Sequence, residues 1–122
     1  GAKAEIEQLL AKAQSEDASR RYALEDLLVF HPVQTPAGSP LVAALERAIG
    51  SVYDRAACLV ASPGTYDHKH FARLGGIEHC VAYGPGTLEL AHQPDEHVRV
   101  DDLVRATAVM ALALVELGVF AA

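Results

Sequence analysis

The chain has 122 residues, 51% of them hydrophobic and 21% charged, with a formal net charge of −6, six His and no Trp. That length suits one domain or pieces of two, and the composition is that of a globular, alanine-rich chain and not of a disordered one. No stretch concentrates Lys or Arg, which argues against nucleic acid as a partner, and the long apolar run Ala106 to Ala122 carries Glu116 and falls short of the ~20 residues of a membrane span.

The first predicted element is a helix over Ala4 to Ala18, where Ile6, Leu9, Leu10 and Ala13 recur at i, i+3, i+4 and i+7 between polar residues. Tyr22 to Gln34, rich in Tyr, Leu, Val and Phe, is read as a strand. Pro32, Pro36, Gly38 and Pro40 then break the chain and mark an interdomain linker, so two parts are expected, 1–37 and 38–122. Ser39 is placed as an N-cap with Pro40 at the first helical position, and Leu41, Val42, Leu45, Ile49 and Val52 predict a helix to Tyr53. Ala57 to Ala61 and Ile77 to Tyr83 are short apolar runs bounded by turn residues, as expected of buried strands, with a short helix from Tyr66 to Leu74 between them that Gly75-Gly76 stops. Asp101 or Asp102 opens a last helix from about Asp102 to Leu117, apolar on more than one face and so expected to be mostly buried. The fold class expected is α/β, or α+β for these residues alone, with a helix and strand in the first part, αβαβα order in the second and an oligomer that covers the open strand edges.

Cys58 and Cys80 lie in apolar runs and are read as reduced, buried small hydrophobes. Two such cysteines make no disulfide framework, and with no signal peptide at its start the chain is expected to be cytoplasmic.

The chemistry concentrates in two turns. The first is Tyr83-Gly84-Pro85-Gly86, followed at Ala91 by Ala-His-Gln-Pro-Asp-Glu. Gly84 and Gly86 force a tight turn after an apolar run, and His92 is then framed by Pro94 and by the carboxylates of Asp95 and Glu96. A metal-bound imidazole commonly donates its second ring nitrogen to such a carboxylate, which makes His92 a candidate ligand with Asp95 or Glu96 behind it. An ordinary loop histidine beside a helix-capping acid has the same spacing, and a zinc site needs three or four protein ligands.

The second turn is Ser62-Pro63-Gly64-Thr65-Tyr66-Asp67. Free backbone N–H groups at the helix start, with the Ser62 and Thr65 hydroxyls, could hold an anion such as a substrate carboxylate, while simple helix capping by Thr65 or Asp67 is the reading the residues favour unaided. Asp101 and Asp102 are read as acids complementing a helix macrodipole rather than as a catalytic pair. His68 and His70 stand two apart on a helix and cannot chelate one ion together.

These turns in this order, with the acid-capped helix after them, resemble the C-terminal part of the zinc-dependent amidohydrolases, the family of acetylornithine deacetylase, succinyl-diaminopimelate desuccinylase, aminoacylase and glutamate carboxypeptidase. The resemblance implies that 1–37 is the end of a lid or dimerisation domain and 38–122 the C-terminal part of the catalytic domain. It implies that His92 is the last ligand of a two-zinc centre, that Gly64 and Thr65 contact the substrate's carboxylate, and that Asp67, Gly84, Gly86, Asp95 and Glu96 support the site. The family reaction is hydrolysis of the amide bond of an N-acyl amino acid or small peptide by zinc-activated water. The family's other ligands, beginning with an HxD motif, and its general-base glutamate have no counterpart among these 122 residues. The chain alone is therefore expected to bind metal poorly and to hydrolyse nothing. A binding or assembly module derived from the family, or one half of a split enzyme, are the alternatives; a homo-oligomer or a complementing N-terminal half is the expected partner.

Overall fold

A computed structural model describes residues 1–62 and 64–119. Pro63 of the second turn and the end of the last apolar run lie outside the described residues. The chain divides into two compact units, Gly1–His31 and Pro32–Ala122.

In the first unit α1 spans Ala2–Glu16, two residues ahead of the predicted helix at each end. Its apolar stripe is only partly covered: Leu10 and Ala13 are half-buried and Ile6 and Leu9 are exposed. Local polar bonds shape the rest. Asp17 accepts from both the amide (3.0 Å) and the hydroxyl (2.6 Å) of Ser19, a side-chain turn that competes with continued helix. Lys3 pairs with Asp26.

The second unit is organised by α2, Pro40–Tyr53, and α4, Val100–Glu116. The helix α2 has the limits its sequence predicts, because both ends carry their own stop signals. Ser39, 1% exposed, accepts the Val42 amide at 3.5 Å, and Pro40 needs no partner for an N–H it lacks. Asp54 turns into the left-handed region at φ 51° and returns its N–H to the Gly50 carbonyl at 3.0 Å. The helix α4 starts at Val100, placing Asp101 and Asp102 in its first turn, where their charge complements the helix dipole.

The two helices pack through Ala44 and Ala48 of α2 against Val109 and Ala113 of α4, with Leu45, Ile49, Val52, Tyr53 and Tyr83 around them. Alanines at the contact let the backbones approach closely. Arg47 of α2 pairs with Glu116 at the end of α4, whereas Tyr53, at the end of α2, lies under Arg105 near the start of α4. The pair is therefore antiparallel. Only one stripe of α4 is used, Ala106, Val109 and Ala113. Leu103, Val104, Met110, Leu114 and Val115, expected to be mostly buried, are exposed.

Between these helices lie α3, His68–Arg73, and a single 3₁₀ turn, Leu88–Leu90. No strand is present among the described residues, and this overturns the α/β class expected from the sequence. A strand exists only as part of a hydrogen-bonded ladder, and the expected segments use their backbone groups elsewhere. In 77–83 the Cys80 amide turns back to the Glu78 carbonyl at 3.2 Å, the Cys80 carbonyl accepts the Thr35 hydroxyl, and the Ile77 amide returns to Phe71 at 2.9 Å. In 22–34 Pro32 has no N–H to offer, and its carbonyl accepts from Arg73 at 3.5 Å. The apolar runs are irregular and open to solvent, with Leu27 86% and Val60 77% exposed. Cys58 is exposed and Cys80 half-buried, both as free thiols, so burial of Cys58 is not observed.

Candidate functional site

Tyr83 fastens the first turn to the helical pair. It packs against the α2–α4 core, and burial, with the Tyr53 phenol beside it, raises its pKa above the ordinary value. The chain then leaves the core through Gly84-Pro85-Gly86. Gly86 has φ 89°, a conformation that glycine adopts freely and a side chain would strain, while Gly84 faces open space and has no such requirement.

From Thr87 to His97 each short bond sets the next. The Thr87 hydroxyl donates to Glu89 and lowers the pKa of its carboxyl; the Leu90 amide returns to the Thr87 carbonyl at 3.2 Å and the Ala91 amide to Leu88 at 3.1 Å. His92 follows at φ 61°. Its amide donates to Glu96 Oε2 at 3.1 Å, so Glu96 reaches the backbone of His92, where an imidazole contact was expected. The carbonyl of Asp95 is 2.6 Å from His97 Nδ1. His92 itself is exposed.

In the second turn the Ser62 hydroxyl, expected to help hold an anion, is used inside the turn itself. It accepts the Gly64 amide at 3.2 Å and donates to the Tyr66 hydroxyl at 3.1 Å. The Gly64 N–H is thereby occupied, and Thr65 is exposed. Asp67 opens α3 through its carbonyl, which accepts the amides of His70 (2.8 Å) and Phe71 (3.2 Å), and not through its side chain. A serine two residues before a glycine was the available signal for this turn.

No hydrogen bond or ion pair among the described residues joins the 62–67 turn to the 84–96 loop. Nor does any group of three or more His, Cys, Asp and Glu converge among the described residues in a way that could hold a metal ion. His92 fits as one donor, exposed on a fixed backbone, but the residues present do not complete a metal centre.

Compared with known families, residues 4–116 match the model of peptidase family M20/M25/M40. The chain belongs to this family. The membership bears out the resemblance read from the turns. Among curated M20/M25/M40-like relatives, a putative dipeptidase YtjP of Bacillus subtilis (strain 168) is 30% identical over 106 residues, covering 84% of this chain and 21% of that protein. An acetylornithine deacetylase of Myxococcus xanthus is 53% identical over 34 residues, 28% of this chain and 9% of that protein. The chain thus spans about a fifth or less of the length of these relatives. No solved structure matches it. No helix among the described residues is long and apolar enough to cross a membrane.

Proposed function

We propose that this chain is the C-terminal segment of a metal-dependent amidohydrolase of the M20/M25/M40 family, which cleaves the amide bond of an N-acyl amino acid or small peptide when complete and is inactive alone. The observation that carries the reading is the family match over 4–116 together with an exposed His92 in the loop anchored by Tyr83. A peptidase family that includes a dipeptidase-like and a deacetylase-named relative supports hydrolysis of linear amides as the reaction class. On this reading 1–37 ends a lid or dimerisation domain and 38–122 belongs to the catalytic domain.

On this reading His92 is the metal ligand that the described residues contribute, and zinc is the metal it would help to hold. Zinc, when bound in a complete site, would polarise an amide carbonyl and supply activated water. The residues here have narrower tasks. On the same reading His92 offers a ring nitrogen and exposed Thr65 serves the substrate's carboxylate, with Gly64 committed through its N–H to the Ser62 hydroxyl that organises the turn; Gly86, Glu96 and the Asp67 and Asp95 carbonyls shape the two loops, to which Gly84 adds no conformational requirement. Two free cysteines support a reducing, cytoplasmic compartment.

A second reading, a stand-alone binding or assembly module, is favoured by the exposed apolar side of α4, with Leu103, Val104, Met110 and Leu114 uncovered. On that reading the chain is a homo-oligomer. Zinc content and hydrolysis of N-acetyl and N-succinyl amino acids, measured on the chain alone and mixed with an N-terminal portion of a family protein, separate the two. The fragment reading expects zinc well below stoichiometric and no turnover alone, with both restored in the mixture. Stoichiometric zinc and turnover by the chain alone refute it, and a mixture that stays inactive while the chain forms stable oligomers favours the module.

A further inference from the structure

The turn that carries His92 has a geometry its residue type disfavours. Ala91 has φ −63° and ψ 135°, His92 has φ 61°, and the Gln93 amide donates to the Leu90 carbonyl at 3.3 Å. Leu90 to Gln93 is therefore a type II β-turn with histidine at its third position, the place that calls for positive φ and is normally filled by glycine or asparagine. A β-carbon there crowds the backbone, and such a conformation persists only where the surroundings over-determine it.

We propose that Glu96 is the residue that holds His92 in this turn, and so acts as a positioning residue for the imidazole. Two bonds make the hold reciprocal. The Glu96 amide donates to the Gln93 carbonyl at 3.1 Å, which brings residue 96 back beneath the turn, and the Glu96 carboxylate then accepts the His92 amide at 3.1 Å. The reach is one residue longer than that of a capping box, in which a Glu or Gln side chain returns to a backbone N–H three residues earlier. The acceptor is a side-chain oxygen, which glutamine offers as well. The division of labour follows: the backbone of His92 is committed to Glu96, while its exposed ring makes no hydrogen bond among the described residues and is left for another group. The importance of that ring rests on the reading of His92 as a metal donor; the hold on its backbone does not.

The test is NMR on the full isotope-labelled chain, comparing wild type with Glu96→Ala and Glu96→Gln. Amide hydrogen exchange at residue 92 reports the bond, and the Hα–Hβ couplings of His92 report whether its ring direction is fixed. Glu96→Ala is expected to speed exchange of the His92 amide about tenfold and to average the couplings, while Glu96→Gln, whose side-chain oxygen accepts the same bond, restores both to near wild type. Unchanged amide exchange in the α2–α4 pair shows that each variant is folded. Wild-type exchange and couplings in Glu96→Ala overturn the proposal, as does a glutamine variant no better than alanine. Neither measurement involves metal. A mixture that gains neither zinc nor turnover in the experiment above would thus remove the ligand reading and leave the positioning by Glu96 standing, and the reverse also holds.

Discussion

The Arg105 guanidinium lies 5.7 Å from the centre of the Tyr53 ring, closing the end of the α2–α4 pair opposite to the one closed by Arg47 and Glu116. Arg55 approaches the same ring at 5.3 Å. Both ends of the pair are thus tied by surface cations, and surface contacts of these kinds contribute little each. Arg47→Ala and Arg105→Ala are each expected to leave the urea midpoint nearly unchanged, with any Arg47 effect shrinking further at high salt.

The middle of the pair behaves differently. Val109 is 0% exposed and faces Ala44 and Ala48. Val109→Ala removes two buried methyl groups and is expected to cost about 1–3 kcal/mol. Ala48→Leu adds volume where the helices touch and should cost a similar ~1–3 kcal/mol by forcing them apart. A urea midpoint unchanged by either substitution would mean that this contact does not hold the unit together.

Gly75, just after α3, and Gly84, in the loop that carries His92, separate cleanly. A β-carbon on Gly75 would stand 2.8 Å from the Phe71 carbonyl oxygen, which already accepts the amides of Gly75 and Ile77. Gly75→Ala should therefore fray the end of α3 and destabilise by roughly 1–3 kcal/mol. Gly84 has nothing within 4 Å of such a carbon and no positive φ, so Gly84→Ala should stay within about 0.5 kcal/mol of wild type. The comparison is a paired thermal melt.

Glu89 gives the loop a pH signature. Its carboxyl is held below the ordinary value, chiefly by the Thr87 hydroxyl and then by a backbone amide. A depressed folded-state pKa contributes stability that is present above the unfolded value near 4.5 and is lost as pH falls through the lower folded value. Thr87→Val removes the largest cause, so an NMR titration of Glu89 should show its pKa moving up toward the ordinary value. No movement would mean that the Thr87–Glu89 bond is not formed in solution.

Much of the helical content was legible because helices carry their own signals. Ser39, Pro40 and the spacing of Leu41, Val42, Leu45 and Ile49 set the limits of α2 with no help from elsewhere in the chain. The expected strands were not decided in the same way. An apolar run such as Ala57 to Ala61 states only that it suits burial, whereas a strand needs a partner at hydrogen-bonding distance. The candidate loop was legible as a place and not as a mechanism. The residues around His92 marked it, but nothing in Ala91-His92 announces a type II turn, whose usual signal is a glycine at the position histidine occupies.

What the sequence determined by itself, then, was the family, read from motifs spread along the chain, together with the capped helix α2, the acidic start of α4 and the loop in which to look for His92, each of which depends on residues close together. The tertiary structure alone decided that α2 and α4 run antiparallel on an alanine seam, that Tyr83 ties the loop to that seam, that the apolar runs stay unpaired, and that Glu96 grips the backbone of His92 and not its ring. Those outcomes turn on which of several available partners each backbone amide, carbonyl and apolar face meets, and that competition is settled by distance in space.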